Sequence, residues 1–403
     1  MTIKAAQIGI FFDGTGNNKD ADIPEGCETN IAKLFRLYNT SPYNYNNEAD
    51  IQFIRKKYIR GVGSVSGSRL IGGITGAGAR RRMTRAYEFI KYQLDKPEAR
   101  DCDKKYIDVF GFSRGASQAR HFVNMLLNLP IPVGDSTTEH HDITIRFLGI
   151  FDTVASFGIP GNELDVDFDL SVDPARVMRC VHYTAEHERR ALFDLQSIKS
   201  SATQSLPQHF VETAYPGAHS DVGGGYGMTP YRASGFYKQR IINGKLVDIP
   251  AANNQYEDLQ YLTDDALYAQ EEEMSEEYFL PEQAEKTNEL SRIPLRDMYQ
   301  AITHSGIQML KMADDPRYAA SIAISSETQI FYDNYKTNGL GFDKAINSKY
   351  IHDSRYATDR ISEMLPGNKL QREIYFSTPS SIVWQHAREI MAGEWDNYDE
   401  ENA

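Results

Sequence analysis

The sequence predicts an α/β fold: a mostly parallel sheet with helices on both faces, followed by a helical C-terminal extension or lid. Three observations predict it. Over the first 226 residues, apolar strand-like runs alternate with amphipathic helical segments. The apolar runs are nearly continuous, as in strands covered on both faces. Each run stops in small or polar residues, where sheets of this kind collect their chemistry.

The elements follow in order. Ala5–Phe12 is the first strand and stops in the glycine- and asparagine-rich Asp13–Asn18. Thr29–Tyr38 sets Ile31, Leu34, Phe35 and Tyr38 on one helical face. Ile51–Ile59 carries strand-like residues and ends in Gly61-Val62-Gly63-Ser64. The glycine-rich segment Gly67–Gly78 leads to a helix over Met83–Leu94. Tyr106–Phe110 reads as a buried strand, and Ala116–Leu129 as an amphipathic helix stopped by Pro130. Ile143–Phe151 is another apolar strand, closing on Asp152-Thr153-Val154. Ala175–Phe193 reads as mostly helical, and Gln208–Tyr215 returns as a strand that ends in the turn Gly217–Gly225. After residue 226 helical segments dominate (Leu262–Glu273, Leu295–Met312), and tyrosines and acidic residues become frequent. Residues 1–226 are therefore expected to form the α/β core. Residues 227–403 are expected to form a helical extension or lid packed on it, facing a membrane together with parts of Gly67–Gly78.

Composition narrows the function classes. The 403 residues are 41% hydrophobic and 25% charged, ordinary for a soluble enzyme. A net charge of −13 argues against nucleic acid as a partner. Basic clusters at Arg55-Lys56-Lys57 and Arg80-Arg81-Arg82 could meet an anionic membrane, but solvated helix faces explain them equally well. Three widely spaced cysteines form neither a disulfide framework nor a metal pattern. The first apolar stretch, Gln7–Phe12, is too short for a signal peptide. The chain is expected to be made in the cytoplasm and to leave, if it does, by a route that reads no N-terminal signal.

Gly111-Phe112-Ser113-Arg114-Gly115 carries the chemistry. It matches the Gly-x-Ser-x-Gly nucleophile elbow, in which a strand turns sharply into a helix and flanking glycines make room for the exposed serine. A serine hydroxyl needs a base, and the base an orienting acid. In α/β-hydrolases these follow in the order Ser, Asp or Glu, His. Asp152 and His219 stand in that order at two later strand ends; Asp221 is the rival acid and His352 the rival base, which order alone leaves open. The oxyanion hole is expected to use the N–H of Arg114 and donors from Gly14 and Thr15. Other motifs fail. Gly72–Arg80 lacks the Gly-Lys-Ser/Thr of a phosphate loop, and Gly61-x-Gly63 lacks the third fingerprint glycine. His182 and His187, five apart on an expected helix, do not share a metal face, and His140-His141-Asp142 reads as a solvated loop. No metal or other cofactor is expected.

Four segments together, Phe12–Asn18, Gly111–Ala116, Phe151–Val154 and Gly217–Tyr226, resemble a bacterial and fungal α/β-hydrolase family that includes type VI secretion lipase effectors. Glu188-Arg189-Arg190 and Pro294–Tyr299 are similar to segments of the same group. The resemblance implies a phospholipase A (A1 or A2) with Ser113 as nucleophile, Asp152 as acid and His219 as base. It implies an antibacterial effector carried by a spike protein into a rival cell's periplasm, where it meets phospholipid at a membrane surface, and restrained by an immunity protein. The alternatives are an esterase on soluble acyl esters and a binding protein that keeps the fold without the chemistry.

Overall fold

The computed structural model describes residues 3–61, 76–155, 168–227 and 287–312, with short breaks at 24–25, 135 and 191–192. It also describes three strands at 237–242, 245–250 and 274–278, and residues 316–339, 349–352 and 372–377. The expected helix over Leu262–Glu273 and most of Gly67–Gly78 lie outside the described residues.

The centre is a seven-stranded sheet. Its strands are β1 (Lys4–Phe12), β2 (Tyr43–Tyr45), β3 (Ala49–Ile59), β4 (Lys104–Phe112), β5 (Ile143–Phe151), β6 (Cys180–Ala185) and β8 (Phe210–Tyr215). They run in the order β2-β3-β1-β4-β5-β6-β8, all parallel except the short edge strand β2. The period-2 alternation of side chains sorts each strand between two cores. On β1, Ala6, Ile8, Ile10 and Phe12 enter one core and Ala5 and Phe11 the other. On β4, Ile107 and Val109 oppose Tyr106, Phe110 and Phe112 in the same way.

Helices α3 (Gly76–Leu94) and α5 (Arg114–Asn128) cover the first face, with Met83, Ile90, Phe122 and Val123 among the contributors. The opposite face takes α2 (Asn30–Leu37), through Ile31 and Leu34. It also takes α7 (Arg292–His304), through Ile293, Leu295, Met298 and Ile302. Two short helices, α1 (Lys19–Asp22) and α4 (Pro97–Arg100), fill connections, and α6 (His219–Gly223) follows β8. Helices α8 (Pro316–Ile322) and α9 (Ser326–Asn338) come after α7. No helix among the described residues is long and apolar enough to cross a membrane.

The chain leaves β1 toward β3 on one side and returns to β4 on the other. The carboxyl ends of β1 and β4 therefore flank the switch point where sheets of this kind open a crevice.

Two expectations are corrected. Ala175–Phe193 is not mostly helical: β6 lies inside it, all six of its residues buried, parallel to both β5 and β8. Ladder pairing on both edges and burial on both faces outweigh the helix propensity of the flanking Ala, Arg, Met and Glu residues. The region after 226 carries strands beside the helices α7, α8 and α9. It holds β9 (Tyr237–Ile242), β10 (Lys245–Pro250) and β11 (Met274–Tyr278) in a separate small sheet, with β9 and β10 antiparallel. The sequence carried that signal in the Asn243-Gly244 dipeptide between two strand-like runs. Helix α7 also stops at His304, short of Met312, because Gly306 takes a positive φ of 78° just beyond it. Another short strand, β12 (Ile374–Phe376), pairs in parallel with β7 (Leu195–Ser197).

Candidate active site

Ser113 sits between β4 and α5 with φ 59° and ψ −129°, a strained backbone for a residue with a side chain. The turn is possible because its neighbours are glycines. A Cβ on Gly111 would lie 2.6 Å from the Cα of Ala116, and one on Gly115 would lie 2.4 Å from the carbonyl oxygens of Phe12 and Asp13. The elbow is thus wedged against the end of β1. It is also stitched to the loop after β5. The Ser113 N–H donates to the Phe151 carbonyl (3.1 Å), the Val154 N–H to the Ser113 carbonyl (3.3 Å), and the Ser117 hydroxyl to the Val154 carbonyl (2.7 Å).

That loop carries Asp152, itself at φ 37° and fully buried. Its N–H donates to the Tyr183 carbonyl on β6 (2.7 Å). Oδ1 accepts from the Ala185 N–H and from Arg372 Nη2, both at 2.8 Å. Oδ2 meets His219 Nδ1 at 2.6 Å. Burial would push the Asp152 carboxyl up, but the Arg372 charge and the His219 bond overcome it and hold it below the usual carboxylate range. An ionised carboxylate only accepts, so His219 Nδ1 carries the proton and Nε2 of the neutral ring is the basic nitrogen.

His219 opens α6. Its ring lies 4.5 Å from that of Phe112, the residue before Ser113, and 5.0 Å from that of Phe193. Burial lowers its pKa despite the opposing pull of Asp152, so the ring is neutral near pH 7. Its backbone N–H donates to Glu188 Oε2 (3.2 Å). Burial would raise the Glu188 carboxyl, but its bonds and charge pairing with Arg190 bring it down to about 2. Among the described residues Ser113 Oγ has no hydrogen-bond partner, so the link to Nε2 is not closed here. Such links are commonly loose before substrate binds.

The oxyanion candidates divide. Arg114 is the first residue of α5, so its N–H has no intrahelical acceptor. The Gly14 N–H is committed to Asp13 Oδ1 (2.7 Å), which corrects the expectation that it is available. The Thr15 N–H makes no hydrogen bond among the described residues. Asp13 braces this loop. Its carboxylate also accepts from the Thr29 hydroxyl (2.7 Å) and from the Tyr58 hydroxyl. Burial raises its pKa to about 6 against these bonds.

The rival residues pair with each other. His352 Nδ1 lies 2.5 Å from Asp221 Oδ1, while Asp221 Oδ2 accepts the N–H groups of His352 and Ala218, both at 2.9 Å. The His352 ring stacks on Tyr226 with centroids 3.8 Å apart. Asp221 thus secures α6, and His352 with it, while Asp152 takes His219. His182 is on β6, where its Nδ1 lies 3.0 Å from Glu212 and its Nε2 accepts from the Thr153 N–H (3.3 Å). His140 lies 3.1 Å from Asp95. Among the described residues no three candidate ligands gather as a metal site.

Sequence reasoning missed the roles of Asp13, Glu188 and Arg372. The first two lie in segments that the family resemblance had picked out; Arg372 carried no signal.

A family described as type VI secretion phospholipase effector Tle1-like, catalytic domain, matches residues 7–133 and 132–301. No curated protein matches. The fold is similar to that of a Tle1 effector solved bound to the VgrG spike of the type VI secretion system. The identity is 20% and the TM-score 0.53, over 87% of this chain and 84% of that one. It is also similar to an uncharacterized protein from Pseudomonas aeruginosa at 21% identity and TM-score 0.50, over 99% of this chain and 61% of that one. The chain belongs to the Tle1-like family of type VI secretion phospholipase effectors, whose catalytic domain it carries.

Proposed function

We propose that the protein is a serine phospholipase A that cleaves an acyl ester of glycerophospholipids. The observation that carries the reading is the buried 2.6 Å Asp152–His219 pair, with the histidine against the strained elbow that presents Ser113. His219 Nε2 takes the proton of Ser113 Oγ as the oxygen attacks the acyl carbonyl, and Asp152 steadies the imidazolium. The N–H groups of Arg114 and Thr15 hold the tetrahedral oxyanion. His219 then protonates the departing lysophospholipid alkoxide. Water, deprotonated by the same histidine, releases the fatty acid from Ser113.

Family membership supports phospholipid as the substrate, and the neutral ring of His219 supports a base ready at pH 7. The spike-bound relative supports delivery on a spike protein. Action in a rival cell's periplasm, restraint by an immunity protein, and a lid after residue 226 complete the proposal.

Hydrolysis of phosphatidylcholine, with the released acyl position identified by mass spectrometry, tests it. Wild type should release fatty acid and lysophospholipid, and fluorophosphonate should label Ser113. Cleavage of soluble esters with no gain on micelles would move the substrate to small acyl esters. A failure to label would sink the serine mechanism.

A further inference from the structure

We infer that Arg372 is a positioning residue for the proposed triad, its guanidinium fixing the Asp152 carboxylate in the orientation that serves His219. The inference rests on the Ser113–Asp152–His219 reading and deepens it.

The guanidinium uses both ends of its fork. Nη2 donates to Asp152 Oδ1 (2.8 Å), and Nη1 donates to the Ala185 carbonyl (3.1 Å). The Ala185 N–H donates to the same Oδ1 (2.8 Å), so Ala185 and Arg372 together close a ring of bonds around one carboxylate oxygen. That leaves Oδ2 for His219. The arrangement is nearly dry, since the Arg372 side chain is 6% exposed and Asp152 is fully buried. A planar fork locked at two points fixes an acceptor's direction as well as its charge.

Arg372 reaches this place because the chain around it is tied down. Its own N–H donates to the Arg189 carbonyl (3.2 Å), and the Glu373 N–H donates to Asp194 Oδ1 (2.8 Å). Strand β12 then pairs with β7, whose Gln196 N–H donates to the Thr153 carbonyl beside Asp152. Buried Arg120 of α5 donates to both the Ser197 carbonyl (3.0 Å) and the Ser377 hydroxyl (2.8 Å). The segment 372–377 is therefore anchored to the elbow helix and to the acid's loop.

The charged groups around the pair come from three places. They are Glu188 and Arg190 after β6, Arg372 ahead of β12, and Arg114 on α5 within range of Arg190. Removing the Arg372 charge makes the Asp152–His219 pair hold its proton more tightly, whichever member carries it. The acid limb of the rate profile then moves to higher pH.

The test is kcat and KM against pH for the full chain on dioleoyl phosphatidylcholine in mixed micelles, with melting temperatures. Arg372→Gln should raise the acid limb of kcat/KM by about one pH unit. It should also lower kcat about tenfold, with KM nearly unchanged. Arg372→Lys keeps the charge and loses the fork, so its limb should stay at the wild-type pH while kcat falls. A folded Arg372→Gln with the wild-type limb would overturn the inference, since a merely structural arginine moves melting temperature alone. If Arg372→Gln does not fold, Arg372→Lys decides. Reduced kcat at an unchanged melting temperature supports the role, and wild-type kcat overturns it. Ser113→Ala and His219→Ala report separately on the triad, and activity in either removes that reading whatever Arg372 does.

Discussion

Two buried aspartate–histidine pairs meet at the short helix α6, and they differ in what surrounds them. Asp152–His219 has its histidine against Phe112 of the elbow and its second oxygen gripped by Arg372. Asp221–His352 has its histidine against Tyr226, and its second oxygen accepts two backbone N–H groups, those of Ala218 and His352. The first pair sets its ring beside Phe112, the residue before the strained Ser113. The second closes α6 onto the segment that carries His352. The lesson is that two acid–histidine bonds of about the same length stand in different surroundings, and in the proposed reading the neighbours of the ring decide which one works.

Substitution of the histidines should separate the pairs most widely. His219→Ala and Ser113→Ala are each expected to lower kcat about 10⁴-fold or more. His352→Ala should stay within about tenfold of wild type in initial rates of phospholipid hydrolysis, because its ring pairs with Asp221 and stacks on Tyr226. A dead His352→Ala beside an active His219→Ala would reverse the assignment.

The acids extend the contrast. Asp152→Asn should lower kcat about 10³- to 10⁴-fold by presenting the wrong group to Nδ1. Asp221→Asn should instead cost stability, about 3 kcal/mol for a broken buried pair, in urea melts, with most of kcat retained. Equal losses of rate in both would erase the distinction between a working and a supporting pair.

The loop opposite the elbow gives a smaller effect. Three donors (the Gly14 N–H and the Thr29 and Tyr58 hydroxyls) converge on Asp13. Asp13→Asn turns an amide N–H₂ toward donors, so one bond is lost and kcat should fall about tenfold, with KM little changed. A wild-type rate would show that this loop lends no donor to the oxyanion.

Acid should produce the mildest separation. The carboxyl of Glu188 is lowered from 4.5 to about 2, so its stabilisation is complete above 4.5 and fades as pH falls toward 2. His219 is lowered as well. The unfolded chain therefore binds its proton first, and stability also fades as pH falls below the ordinary histidine value of about 6.5. Glu188→Gln should flatten the lower part of a melting-temperature profile between pH 5 and 3, roughly the range these values span. An unchanged slope would place the acid sensitivity elsewhere.

Much of the fold was legible in the chain because burial on both faces writes itself as continuous apolar runs. Ala5–Phe12, Tyr106–Phe110 and Ile143–Phe151 read as strands for that reason, and each is one. β6 was not legible, since six buried residues between helix-favouring flanks gain their ladder bonds only from β5 and β8.

The elbow was legible for a local reason: Gly111 and Gly115 are required within two residues of Ser113, whatever the rest of the chain does. By itself, the sequence determined the layered α/β frame, the serine at a strand-to-helix turn and the set of acids and bases at strand ends. The tertiary structure decided which aspartate meets which histidine, across 67 residues for Asp152–His219 and 131 for Asp221–His352. It also committed the Gly14 N–H to Asp13 and brought Arg372 to Asp152 across 220 residues. Spacing along a chain encodes turns, while partnership in a buried polar network depends on which strand ends the sheet order places side by side.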